Sequence, residues 1–346
     1  MQNIPTNQHH IPRFLMRGFL SRKNGENAYT IAYRRKSVNE VNTKNVGASR
    51  FFYTKRCENR IESELSKLEA YLAPFHSRLI EGSFDPEKES ELAAQLLAHC
   101  SIRSKAMRME IEGGAETLCQ ELTEILNDNH RLRDFLAKQI RSGGLSFDEI
   151  VEPYRAAGDD VSWVLETITD QPEILIQFLD KNKINEFKEA LTRTVYDPNS
   201  FARNVHLQSM AQCLCPDERV SRFLSNQSWL CRLDSGSLVL GDSMVVQVDN
   251  KGRPVVNYDL DESDTATILP ITPQHALVNT KSPIRMRSKI IDAVIQSSVE
   301  FFVFTREESF LHRRKESIGK ISGRILRKIV EQEIRAYFGR RPGLGR

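Results

Sequence analysis

From Glu58 to about residue 225 the apolar positions recur at helical spacing. Ile61, Leu65, Leu68, Leu72, Phe75 and Leu79 alternate steps of four and three, which predicts a helix packing along a narrow seam. Asp85-Pro86-Glu87 supplies an N-cap followed by proline at the first helical position, predicting a helix through about Glu112. Gly113-Gly114 then separates it from another helix running to about Arg141, and Ser146-x-x-Glu149 reads as a capping box for the next. A further helix starts at Pro172, and helix continues to about Thr194.

The flanks of this stretch follow a different period. After the Asn24-Gly25 turn signal, Ala28–Tyr33 reads as a strand, with Val38, Val41 and Val46 in further short extended pieces. Beyond Ser228, strands are predicted at Trp229–Arg232, Leu238–Leu240, Met244–Val248, Ala266–Pro270 and His275–Val278. Pro283–Ser298 reads as helix, Val299–Phe304 as a buried strand or helix end, and Ile318–Phe338 as a basic amphipathic helix. Neither β region has enough strands to hide its own edges. The expected architecture is therefore α+β: one small mixed sheet built from N- and C-terminal segments, with a large helical insertion. The corresponding divisions are 1–57 (N-terminal β segment), 58–227 (helical insertion), 228–305 (β region completing the sheet) and 306–346 (basic helical tail).

Composition adds limits. The 346 residues are 40% hydrophobic and 27% charged, enough for a large core. No run of eighteen apolar residues occurs, so no membrane span is expected, and the first residues lack the order of a secretory signal. The six cysteines are too scattered for a disulfide framework and read as reduced thiols of a cytoplasmic protein. The net charge of +3 hides an asymmetry: residues 306–346 carry twelve Lys/Arg against five Asp/Glu, net +7, leaving −4 on the first 305. A basic end on a mildly acidic body points to an anionic partner, nucleic acid being the commonest, or to a solvated amphipathic helix.

The most chemically loaded stretch is Gln8-His9-His10-Ile11-Pro12-Arg13-Phe14-Leu15-Met16-Arg17-Gly18-Phe19. Two imidazoles, a helix-starting proline and two arginines precede an apolar helical face. This segment resembles the QHYVPRFYLRNF-like opening of a bacterial family known as domain of unknown function 4238, with His10 where tyrosine is usual. Ile102-Arg103-Ser104 is similar to that family's R-[ST] helix signature, and Trp229-Leu230 with Val239–Val245 resembles its W-x-[VL]…S-D-N-P-V motif. Leu269–Pro273 resembles a later PLSP-like segment. Gly241 replaces the motif serine and Ser243-Met244 replaces Asn-Pro, so a different turn geometry is expected there. The resemblance implies which residues matter and implies no reaction.

His9, His10, Arg13, Arg103, Asp242 and His275 form the most economical chemical constellation. Histidine serves as acid, base or neutral metal ligand; a strand-end carboxylate orients histidine or ligates a metal; arginine holds phosphate. One expectation is a phosphodiester hydrolase, a nuclease-like effector of the kind found in phage defence or as a toxin. His9, His10, Asp242 and Arg103 would be its catalytic groups, with His9 and Asp242 as candidate ligands of a divalent metal. No standard nuclease motif is present. Arg13, Arg17, Arg313, Arg314, Lys315, Arg324, Arg327 and Lys328 would contact nucleic acid. The other expectation is a non-enzymatic nucleic-acid-binding or regulatory module, in which Gln8–Arg17 and Gly241–Ser243 latch the N-terminus onto the sheet. His76, His99, His130, His206 and His312 lie in helical patterns and read as packing or surface residues, although His99 sits one turn before Arg103.

Overall fold

The sequence's β signals are realised as short antiparallel strands, and its helical middle as a succession of helices. A computed structural model describes residues 7–50, 52–53, 60–142, 155–156, 162–171, 189, 198–233, 237–255, 265–281, 289–321 and 325–338. The protein is α+β. The described residues fall into two compact units, one built from 1–113 and 202–326, the other from 114–201 and 327–346.

In the first unit the strands are β1 (Asn7–His9), β2 (Arg22–Asn24), β3 (Asn27–Arg34), β4 (Ser37–Asn42) and β5 (Ala48–Arg50). They are followed, after the helices, by β6 (Gln227–Arg232), β7 (Leu240–Gly241), β8 (Val246–Asp249), β9 (Pro254–Val255), β10 (Thr265–Pro270), β11 (His275–Thr280) and β12 (Phe301–Phe304). The expected single mixed sheet is not what forms. Among the described residues there are three groups, in which every strand pairing is antiparallel: β1-β5, β6-β11-β10-β8-β9, and a composite of β2, β3, β4, β12 and β7. Five strands between residues 227 and 280 pair with one another, β8 with β9 and β10 with β11 as neighbours along the chain, while β7 and β12 join the N-terminal strands.

In the composite sheet β4 takes one edge of β3, while β2 and β12 share the other end to end. All four residues of β12 are buried, as expected for an apolar run in the interior of a sheet. Tyr33 of β3 stacks on Phe302 at 4.9 Å, and its hydroxyl accepts from the Glu308 N–H at 2.6 Å. The buried Thr30 hydroxyl sits 2.8 Å from the Phe19 carbonyl and 3.1 Å from that of Phe304.

The helices of this unit begin with α1 (Arg60–Ile80), whose Leu65, Leu72, Phe75 and Leu79 are buried as their spacing predicts. Then comes α2 (Pro86–Arg103), capped by Asp85, whose carboxylate accepts from Glu87 N–H at 3.1 Å. The helix predicted to reach Glu112 instead ends at Arg103. Ser104 turns to an extended conformation and its hydroxyl accepts from Met107 N–H at 3.1 Å, starting α3 (Lys105–Asn127). That helix runs straight through Gly113-Gly114, which it carries at a cost of about 1 kcal/mol per glycine relative to alanine. Toward the C-terminal side lie α6 (Pro198–Gln212), α7 (Asp217–Leu224), α8 (Lys289–Ser297) and α9 (Ser309–Arg314); α7 packs on α2 and β6. The second unit holds α4 (Asn129–Arg141) and α5 (Ser162–Asp170), which pack together, with Leu132, Leu136 and Ile140 buried. It also holds most of α10 (Ile325–Phe338), which starts later than the predicted Ile318. Ile318 is instead buried, and Gly319 follows it with a φ of 71°.

Leu15–Phe19 is a short 3-10 helix with Leu15, Met16 and Phe19 buried. Gly18 is required there: a Cβ would lie 1.8 Å from the Ile271 carbonyl oxygen. The Ser146 capping box, the Pro172 helix start, the stretch to Thr194, Asp234–Gly236, Pro283–Arg287 and Arg324 lie outside the described residues.

Gly18→Ala forces a backbone separation, so it is expected to destabilise by about 1–3 kcal/mol. In a unit of this size that lowers Tm by about 2–4 °C per kcal/mol, read by calorimetry.

Candidate functional site

The opening segment is organised by one buried side chain. Arg103, at the last turn of α2, is 2% exposed, and nearly every donor of its guanidinium is used. Nε donates to the Tyr53 hydroxyl at 2.9 Å, Nη2 donates to the His9 carbonyl, and Nη1 pairs with Glu69 of α1. Nη1 also lies 3.3 Å from His99 Nε2, and His99 Nδ1 lies 3.3 Å from the Leu214 carbonyl. That geometry requires a neutral His99 with its proton on Nδ1. Burial pulls the Arg103 guanidinium down, but Tyr53 and Glu69 outweigh it and hold it above its ordinary value. Tyr53 closes a second contact to the same segment, its N–H donating to Gln8 Oε1 at 2.5 Å.

A second pair repeats the pattern beside it. Arg108 of α3 donates from Nε to His206 Nδ1 at 3.3 Å and from Nη2 to the Phe52 carbonyl at 2.7 Å, with its guanidinium 3.5 Å above the Phe52 ring. His206 Nε2 donates to the Ile102 carbonyl at 2.9 Å. Both arginines are thus bound by neutral imidazoles. Burial, with nearby Arg and Lys, holds His99 and His10 down to about 3 and His9 and His206 down to about 4. His10 packs on the Phe52 ring at 5.1 Å, and neither of its ring nitrogens has a hydrogen-bond partner.

Asp242 stands elsewhere. It is fully buried at the end of β7, where Oδ1 accepts from Val299 N–H at 2.6 Å and Oδ2 from Glu300 and Phe301 N–H at 2.8 and 3.3 Å. Burial pushes its carboxyl up to about 6 against the pull of these three amides. The turn beyond it departs from ordinary geometry. Gly241 faces Ser298, whose Oγ would be 2.3 Å from an added Cβ, and Met244 has a φ of 60°. The residues that replace serine and Asn-Pro here therefore accommodate a close neighbour and a left-handed turn.

The expected constellation does not assemble. His9, His10 and Arg103 are brought together, and Arg13 is close enough to His9 to lower its pKa. Asp242 makes its hydrogen bonds to backbone amides of residues 299–301, and His275 approaches Thr272 Oγ1 at 3.2 Å. The expected mutual latch is two separate ones: Arg103 and Tyr53 hold Gln8–His9, and Asp242 holds the start of β12. Both oxygens of Asp242 are thus engaged by backbone amides. Among the described residues no three His, Cys, Asp or Glu side chains are grouped to hold a metal.

The basic candidates divide as well. Arg314 pairs with Asp292 at 2.7 Å, Lys315 donates to the Arg35 carbonyl at 2.8 Å, and Arg327 pairs with Glu116 at 2.9 Å. Arg313 and Lys328 are exposed. Arg13 and Arg17 are exposed and line a groove of about 460 Å³ together with Lys23. Glu69 is the one carboxylate among the described residues lining that groove, and it is paired with Arg103. Sequence reasoning missed Lys23, Tyr53 and Glu69. Tyr53 carried a faint signal as the end of an aromatic run, Arg50-Phe51-Phe52-Tyr53.

In class this is an α+β protein whose N-terminal motif is buried on one side and basic on the other. The chain belongs to the family described as Protein of unknown function (DUF4238), whose model matches residues 7–310. No curated protein and no solved structure matches it. Among the described residues no helix is long and apolar enough to cross a membrane.

Replacing Arg103 by Ala leaves Glu69 and the His9 carbonyl without their cation, and a loss of about 3–5 kcal/mol is expected in urea unfolding. The histidines give a pH signature. His76 is fully buried with both nitrogens unpartnered, and burial holds it down to about 3. Unfolded imidazoles protonate near 6.5 and these do not until about 3–4, so the unfolded state binds more protons and stability falls as pH drops below 6.5. Asp242 opposes this, because its folded carboxyl holds a proton between 3.8 and about 6. His76→Phe removes one such site and should flatten the slope of stability between pH 4 and 6 by about 1.4 kcal/mol per pH unit.

Proposed function

We propose that this protein is a non-enzymatic nucleic-acid-binding module whose contact surface is the groove beside its N-terminal motif. The observation that carries the reading is the set of three exposed cations, Arg13, Arg17 and Lys23. They line one groove, have no side-chain partner among the described residues, and face a single carboxylate that Arg103 already neutralises. Unpaired cations along one groove are what a phosphate backbone needs, whereas arginines already bound to Asp or Glu contribute less.

The hydrolase reading draws less support from the geometry. Two of its four catalytic candidates have their polar atoms engaged, Arg103 by Tyr53, Glu69, His99 and the His9 carbonyl and Asp242 by three amides, while burial holds the His9 and His10 rings neutral. A group that must bind substrate or metal would have to give up these partners first.

Fluorescence anisotropy with labelled single-stranded and duplex oligonucleotides tests the proposal. Binding should weaken as salt rises. Arg13→Ala, Arg17→Ala and Lys23→Ala should each weaken it and lower the salt slope by about 0.7–0.9. Arg327→Ala, at an arginine already paired with Glu116, should do less. Absence of binding, or affinity insensitive to salt, overturns the reading. Cleavage of either oligonucleotide with divalent metal, lost in Asp242→Ala, would establish the hydrolase instead.

A further inference from the structure

We propose that a pocket beside the Asp242 turn binds a small carboxylate with a compact apolar body. The pocket has a volume of about 110 Å³ and lies wholly within the first unit. Its walls are contributed by the start of α3, by α7, and by the turn and strand that follow Asp242.

Three observations point to a ligand there. Ser243, the residue after the clamped Asp242, lines the pocket; its Oγ is buried and has no hydrogen-bond partner. A buried hydroxyl without a partner is uncommon in a folded protein and calls for an explanation. The next residue, Met244, has a φ of 60°, a conformation a methionine rarely adopts, and it sits between two wall residues, Ser243 and Val245. Such backbone outliers cluster at ligand sites because the surrounding structure has to impose them. The third observation is the charge. Arg219 and Arg222 both line the pocket from α7, and Arg219 Nη1 donates to Ser101 Oγ at 3.0 Å, which holds its guanidinium against the end of α2. Among the described residues of the lining Glu110 is the single acidic one, so those residues carry one net positive charge.

The chemistry of the ligand follows from these walls. Met107, Phe223, Val245, Val246 and Val255 supply an apolar lining, with the arginines and Ser243 as polar groups that would fix orientation. An anionic head is what a pair of arginines recognises best, through charge-assisted hydrogen bonds. Apolar cavities of about 150 Å³ hold a benzene-sized body, so a pocket of this order takes a ring or a short branched chain and excludes a nucleotide. A carboxylate on such a body satisfies the buried Ser243 hydroxyl and the arginines together. The groove lined by Arg13 and Arg17 shares no residue with this pocket, so the two sites succeed or fail separately.

Isothermal titration of the full-length protein with benzoate tests the inference, with benzyl alcohol as the neutral analogue and inorganic phosphate as a head without a body. Saturable one-to-one binding of benzoate is expected, at least tenfold tighter than either comparison compound. Arg222→Gln should weaken benzoate about tenfold, the loss expected for one charge-assisted hydrogen bond. Ser243→Leu, which fills the pocket, should abolish binding. Because Leu could disturb the turn, Ser243→Ala is measured beside it, keeps the pocket open, and should weaken benzoate severalfold with Tm unchanged. The inference is overturned if benzoate shows no saturable binding, if benzyl alcohol or phosphate binds as well, or if the Arg222 and Ser243 variants bind as the wild type does.

Discussion

The fold of the first unit depends on the burial of one guanidinium. Taking Arg103 out of water costs several kcal/mol, and an isolated buried cation would not persist. It persists because four groups from different parts of the chain converge on it: Glu69 on α1, His99 one turn back on α2, the Tyr53 hydroxyl, and the carbonyl of His9. Glu69 supplies the opposite charge and the other three supply hydrogen-bond acceptors. Together they make the cation affordable only in the native arrangement, which turns an unfavourable burial into a device for selecting one arrangement. Gln8 and His9 are held in place by this cluster.

Asp242 plays the corresponding role at the composite sheet. Strand β7 is two residues long and contributes little ladder of its own, so its alignment with β12 needs another source. The Asp242 carboxylate supplies it by accepting three successive amides just where β12 begins. The same amides then position Glu300, whose side chain meets Lys105 at 2.5 Å at the start of α3. A single carboxylate thereby joins a turn, a strand start and a helix start.

Much of this was legible locally and little of it globally. The strands expected at Ala28–Tyr33, Trp229–Arg232, Ala266–Pro270 and His275–Val278 were legible from their residue types, and Asp85-Pro86 marked the start of α2. Which strand pairs with which was not legible, because register is set by partners far apart in sequence, such as Phe302 on Tyr33. The break at Ser104 was hidden for a similar reason: a serine in a helical pattern reads as tolerated until its hydroxyl is seen capping Met107. At the site, residue type was informative and role was not. Arginine and aspartate in a family motif suggest phosphate and metal, yet those descriptors are the same for a buried clamp. The difference lies in solvent exposure and in partners 34 to 94 residues away, neither of which a motif records.

The N-terminal motif consequently has two faces with different work. Gln8, His10, Ile11, Leu15, Met16 and Phe19 point inward and are buried. Arg13 and Arg17, four residues apart, point outward into a groove. The inward face requires the histidines to stay neutral, since Arg103, Lys105 and Arg108 already place positive charge around His10 and no anion is paired with the ring. That requirement argues against using His10 as a proton carrier near neutral pH, where a catalytic histidine has to exchange protons readily. The outward face has no such restriction. Its cations have no side-chain partner among the described residues, so they can neutralise an arriving anion without first breaking an ion pair. The rigid half of the motif is what makes the exposed half a defined surface.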